Sequence, residues 1–185
     1  MPTAVPQHRR NFFVVTGGPG AGKTTLLERL SKDGFAIAPE AGRSIIRAQR
    51  AIGGPALPDQ DPALFAELML AWDLRSFESA DPSKFTFFDR GIPDTVGYLR
   101  LSSLPVPLHL RRATESFRYS ETVFILPPWP EIFSTDSERK QTLDEAERTY
   151  EAMRAIYLEL GYRLVCIPRL SVDERCEFVL NCAKG

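Results

Sequence analysis

At 185 residues and a net charge of −1, the chain lacks the basic excess that nucleic-acid binders set against phosphate backbones. Apolar residues at 43% and charged residues at 25% are globular proportions, enough for one domain with a buried core. No stretch approaches the roughly 18 apolar residues of a membrane span, so neither nucleic acid nor membrane is expected as a partner.

Residues 1–10 contain two prolines and little that packs, so they are expected to form a loose arm. Arg9-Arg10 precedes too short an apolar run to be an export signal and reads as a short basic tail. The β-favouring run Phe12-Phe13-Val14-Val15 predicts a first strand over about 11–16. Directly after it stands Gly17-Gly18-Pro19-Gly20-Ala21-Gly22-Lys23-Thr24-Thr25, which fits G-x-x-x-x-G-K-T. A helix with Leu26, Leu27 and Leu30 on its apolar side follows to Lys32, ended by Asp33-Gly34. Strand, glycine turn and helix form the context in which this motif binds a nucleoside triphosphate. Glycines turn successive backbone N–H groups inward as a nest for phosphate oxygens, and the helix dipole points at the same anion. Gly17, Gly18, Gly20, Ala21, Gly22, Lys23, Thr24 and Thr25 are therefore the expected phosphate-binding residues. Lys23 serves the β- and γ-phosphates and the Thr24 hydroxyl is the expected Mg²⁺ ligand.

Phe35-Ala36-Ile37-Ala38 predicts a second strand ending at Pro39-Glu40, which puts Glu40 at a carboxyl end beside the phosphate loop. Its carboxylate reads as a general base, as a partner for magnesium, or simply as a first-turn acid favoured by the next helix dipole. Arg43, Arg47 and Arg50 share one face of that helix, as a solvated stripe or, at Arg43, as a substrate contact. After the Gly53-Gly54-Pro55 loop, Asp61-Pro62 opens a helix with an apolar stripe of Leu64, Phe65, Leu68, Met69 and Trp72. That stripe is expected in the core.

Phe85-Thr86-Phe87-Phe88-Asp89 predicts a third strand ending in an acid that reaches Mg²⁺ directly or through water, with Arg90 next in sequence. The plainer reading is an Asp–Arg pair that caps a turn. Asp94 and Tyr98, four apart on the following helix, either line an acceptor pocket or form a surface pair. A helix over about 108–118 carries His109, read as a surface residue, and Thr122–Leu126 predicts a fourth strand. Trp129 after it packs or supports a base. Residues 131–148 are densely charged, a solvated hairpin or a lid that closes over the transferred phosphate. Their helix continues on an apolar face to Gly161, before a fifth strand over 163–167 and a last helix opened by the capping box Ser171-Val172-Asp173-Glu174. Cys166, Cys176 and Cys182 show no metal spacing and read as reduced, mostly buried thiols of a cytoplasmic protein.

Five strands alternating with helices predict an α/β, three-layer P-loop NTPase fold with a five-stranded parallel sheet, in a single domain over 1–185. The N-K-x-D guanine reader of a GTPase is missing, since the asparagines are Asn11 and Asn181 alone. The pattern resembles the P-loop nucleoside and nucleotide kinases: the deoxynucleoside and thymidylate kinases, and a family of small predicted ATPases grouped with the nicotinamide riboside kinase domain. The likeness runs from Phe12 to about Leu180. Pro39-Glu40 resembles the catalytic glutamate after strand two of deoxynucleoside kinases, and Asp89-Arg90 the acid–arginine pair after strand three. Glu138-Arg139 through Arg148-Thr149-Tyr150 resembles an arginine-bearing lid.

The resemblance implies ATP and Mg²⁺ as cofactors and phosphoryl transfer to a small, nucleoside-like hydroxyl acceptor. Lys23, Glu40, Asp89, Arg90 and Arg139 would be catalytic, Thr24 and Asp89 would hold the metal, and Arg148 and Arg169 would contact the nucleotide. Adenine would lie between the lid and Pro168-Arg169. Gly91-Ile92-Pro93-Asp94 lacks the serine-rich continuation of thymidylate kinases, so dTMP is not the expected acceptor. A second reading, from the lack of a legible acceptor motif, is an ATPase or nucleotide-binding module that regulates a protein partner.

Overall fold

In the computed structural model, which describes residues 6–132 and 142–184, the apolar runs form a parallel sheet. Its strands are β2 (Phe12–Gly17), β3 (Ala36–Ala38), β4 (Thr86–Asp89), β6 (Thr122–Leu126) and β7 (Arg163–Cys166). Their spatial order is β3-β4-β2-β6-β7, with every neighbouring pair parallel. Register sets Val14 beside Phe88 and Val15 beside Asp89, so the end of β4 lies level with the end of β2.

Alternation along the strands splits the core in two. Phe12, Val14, Phe88 and Val123 face α3 (Pro62–Ser79), α4 (Ile92–Leu101), α5 (Leu108–Ser116) and α6 (Leu143–Glu159). Phe13, Val15, Phe87 and Phe124 face α1 (Lys23–Lys32) and α7 (Val172–Lys184). These are the three layers expected from the alternation of strands and helices. α2 (Ala41–Ile52) packs on α3 through Ile45, Phe65 and Met69, while Leu64 of the expected core stripe points to solvent. Among the described residues no helix is long and apolar enough to cross a membrane.

Local punctuation follows its chemistry. Asp61 accepts from the Leu64 amide at 2.9 Å to cap α3, and Ser171 and Glu174 exchange the reciprocal bonds of a capping box at α7. Thr142 and Glu145 form a second box, at the start of α6.

Three expectations need correction. Residues 6–10 are not a free arm: β1 (Gln7–His8) pairs in parallel with β5 (Phe117–Arg118), and the Arg9 amide donates to Arg118 at 2.8 Å. The expected helix over 108–118 ends early for the same reason, since its last two residues supply that ladder. Of the lid-like segment 131–148, residues 133–141 lie outside the described residues, Pro130–Ile132 is a 3₁₀ turn and 143–148 are the first turns of α6. Of the thiols, Cys176 is buried, Cys182 is half-buried and Cys166 is exposed at the sheet edge.

Candidate functional site

The loop after β2 closes on itself through backbone geometry. Gly22 caps α1 at φ +81°, a conformation that L side chains rarely adopt. Gly18 lies against the first turns of α6, where an added Cβ would overlap the Ala146 carbonyl oxygen. Gly17, Gly20 and Ala21 complete the turn, and Thr24 and Thr25 stand exposed in the first turn of α1. The Lys23 ammonium, 9% exposed, donates to the Gly18 carbonyl at 3.2 Å and lies 3.5 Å from that of Gly17. Burial and the Arg90 charge lower its pKa to about 8, against the opposing pull of Asp89, Glu40 and Asp94. Among the described residues its hydrogen bonds go to loop carbonyls and none to a carboxylate, which leaves the ammonium able to meet an incoming anion.

Beside the loop, the ends of β3 and β4 deliver a charged cluster. Arg90 follows β4 at φ +71°, an uncommon backbone for a residue with a side chain, at a cost of about 1–2 kcal/mol. Its side chain offsets that cost: Nε donates to Glu40 at 3.2 Å and Nη1 to Asp94 at 3.0 Å. Burial opposes the guanidinium charge, yet Glu40, Asp94 and Asp89 outweigh it and raise its pKa. Burial likewise works against the Glu40 carboxylate, but Arg90, Lys23 and Arg43 hold its pKa below the ordinary value. Arg43 reaches Glu40 at 3.5 Å from one turn along α2. Glu40 thus caps α2 by position only; its carboxylate makes no capping bond and is given to the arginines.

Asp94 is the hub of the cluster. At 1% exposure it accepts from Thr16 Oγ1 at 2.5 Å, Tyr157 OH at 2.6 Å and the Gly91 amide at 3.0 Å, besides Arg90. It is therefore no surface pair with Tyr98, whose ring packs edge-on against Phe65. Asp73 on α3 is 8% exposed. Burial, then the Asp94 charge, push its pKa well above the ordinary carboxyl value. Neither acid was singled out for its place in the core. The available signal for Asp73 was its spacing: it continues the buried period of Ala66, Leu70 and Phe77 along α3.

Asp89 is poised differently. Its Oδ1 is buried with no hydrogen-bond partner among the described residues, and burial raises its pKa despite Lys23 and Arg90. An orphaned carboxylate oxygen level with the phosphate loop fits a cation brought by a ligand, and the exposed Thr24 hydroxyl fits the same role. Mg²⁺ is thus chemically suited to the residues present.

The remaining expected contacts scatter. Arg139 lies outside the described residues. Arg148 is exposed on α6 and pairs with Asp144 at 3.2 Å along its own helix. Arg169 is exposed and donates to the Pro128 carbonyl at 2.5 Å. Near Pro168-Arg169, Trp129, Pro168, Arg169 and Arg175 line a cleft too small for a water molecule, and residues 133–141 of the lid expected on the other side of adenine lie outside the described residues.

Residues 12–175 match the family model described as AAA domain. No curated protein matches the chain. Among solved structures it is similar to a deoxyadenosine kinase from M. mycoides solved with dCMP and dCDP bound, at 14% identity and TM-score 0.64. That likeness covers 94% of this chain and 98% of the kinase. It is similar to thymidylate kinase from Ehrlichia chaffeensis at 16% identity and TM-score 0.58, over 96% and 99% of the two chains. NadR protein in complex with NR aligns at 20% identity and TM-score 0.65 over 92% of this chain, which spans about half of NadR. At these identities the likeness is one of fold: the sheet and its helices are those of the nucleoside and nucleotide kinases.

Proposed function

The chain belongs to the AAA domain family, and we propose that it transfers the γ-phosphoryl group of ATP to a hydroxyl of a small, nucleoside-like acceptor. One observation carries this reading. The ends of three adjacent parallel strands supply a phosphate cradle, a carboxylate and an acid–arginine pair whose charges shift one another's pKa values. Ligands of open α/β sheets lie at such strand ends.

In this reading the loop amides and Lys23 hold the β- and γ-phosphates. Thr24 and Asp89 would hold Mg²⁺, which when bound neutralises charge on the phosphate oxygens. Glu40, kept ionised at neutral pH by its arginines, orients the acceptor hydroxyl and takes its proton. The acceptor oxygen then bonds to the γ-phosphorus as the bond to the β-bridging oxygen breaks and ADP leaves. A weak base suffices, because little charge builds on the attacking oxygen in a loose phosphoryl-transfer transition state. Arg90, fixed by Glu40 and Asp94, steadies negative charge without having to reorganise.

Incubating the purified chain with γ-labelled ATP, Mg²⁺ and a panel of nucleosides and small alcohols tests the proposal. Label should pass to at least one acceptor, and Glu40→Gln should slow transfer about a hundredfold or more with ATP affinity retained. Labelled inorganic phosphate alone, at a rate indifferent to every acceptor, would leave an ATPase or nucleotide-regulated module instead.

A further inference from the structure

Arg175 is the one residue of the first turn of α7 that turns inward beside the phosphate loop. It is 5% exposed, yet no carboxylate pairs with it among the described residues, and its Nε has no hydrogen-bond partner. Its Nη1 lies 3.4 Å from the carbonyl oxygen of Gly22, the cap of α1, and 2.8 Å from where a Cβ there would stand. The guanidinium also lies over the Trp129 ring, 5.3 Å from its centre. Burial lowers its pKa.

Electrostatically this is the wrong place for an unaccompanied cation. The N-terminal end of a helix carries partial positive charge, and α1 has no acid in its first turn to balance it. Lys23 is a buried cation of the same turn, its charge answered by Asp89, Glu40 and Asp94, whereas Arg175 has no such acid among the described residues. A desolvated positive group at a positive helix end is unfavourable unless an anion joins it. Trp129 partly compensates through its ring face, but an indole satisfies none of the guanidinium donors.

We propose that Arg175 is a ligand of the nucleotide's phosphate chain, a second cation that approaches from α7 the anion that Lys23 meets from α1. The proposal rests on the phosphate-loop reading above and adds a residue outside the motif. A side chain at position 22 would meet this guanidinium, so the two positions share one space at the head of α1.

Titration with inorganic tripolyphosphate, which has no base, tests the role beside titration with ATP, both in Mg²⁺ buffer. Arg175→Met keeps the buried stem without the charge, and Arg175→Lys keeps a charge without the fork. Met should weaken both ligands by about tenfold or more, and Lys should recover part of the loss. A loss for ATP with tripolyphosphate unchanged would make Arg175 a base-stacking residue and overturn the proposal. Unchanged binding of both ligands to a Met variant of wild-type circular dichroism, with Lys23→Ala still impaired, would overturn this inference and spare the phosphate loop. Failure of the parent chain to bind either ligand would overturn both.

Discussion

The two halves of the candidate site are held together by different physics. The phosphate loop is a backbone device: nine consecutive residues between one strand and one helix shape it, and its Lys23 ammonium donates to a loop carbonyl rather than to a carboxylate. The cluster beside it is a side-chain device, in which Glu40, Arg90, Asp94, Thr16 and Tyr157 arrive from separate elements and satisfy one another before any ligand is present. The first depends on an incoming anion to complete it. The second is already complete. Substitutions in the loop should therefore act mainly on ligand affinity, and substitutions in the cluster mainly on stability and on the chemical step.

Asp94→Ala offers the hardest test of that division. It strips Arg90 of a buried counter-charge and leaves the Tyr157 and Thr16 hydroxyls without their acceptor. The expected loss is about 3–5 kcal/mol in chemical denaturation. A loss under about 1 kcal/mol would mean the cluster is not prewired. Gly18→Ala is the loop change expected to depart from that division, costing about 1–3 kcal/mol of stability, since the added methyl meets the backbone of α6 and the helix must shift.

Asp73 sharpens the contrast with a change of opposite sign. Its folded-state pKa stands above the unfolded value near ~3.9, so ionisation is disfavoured in the fold. That penalty is absent below the unfolded pKa and grows as pH rises toward the folded one. Asp73→Asn should therefore stabilise the protein at pH 7 by about 1–2 kcal/mol, a gain that disappears near pH 4. A variant less stable than its parent at pH 7 would show that the carboxylate has a partner. The smallest effect is expected at Arg148, where Ala should leave the melting temperature unchanged, because its exposed pair with Asp144 lies along one helix.

This division also explains what the amino-acid sequence made legible. The cradle is contiguous, so its residues, its strand and its helix stand side by side in the chain and announce one another. Glu40, Asp89 and Arg90 were visible as candidates because each follows the end of a strand with a clear apolar pattern. Asp94 was ambiguous because its partners Thr16 and Tyr157 lie 78 and 63 residues away, and no local pattern connects them. Arg175 was passed over just after a capping box whose first turn looks solvated, since only the approach of α7 to α1 turns it inward. The β1–β5 ladder was missed because two residues carry no periodicity, and their pairing depends on an extension of α5 that propensity reads as helix.

Isothermal titration of ATP into the parent chain and into Lys23→Ala, in magnesium buffer and beside matched melting curves, bears most directly on the account. The parent should bind saturably, and the variant should keep its fold while losing about a hundredfold or more in affinity, as befits a charged ligand to phosphate in a buried cradle. Equal affinity in the two proteins, or no binding by the parent, would contradict the assignment of this loop to a nucleoside triphosphate.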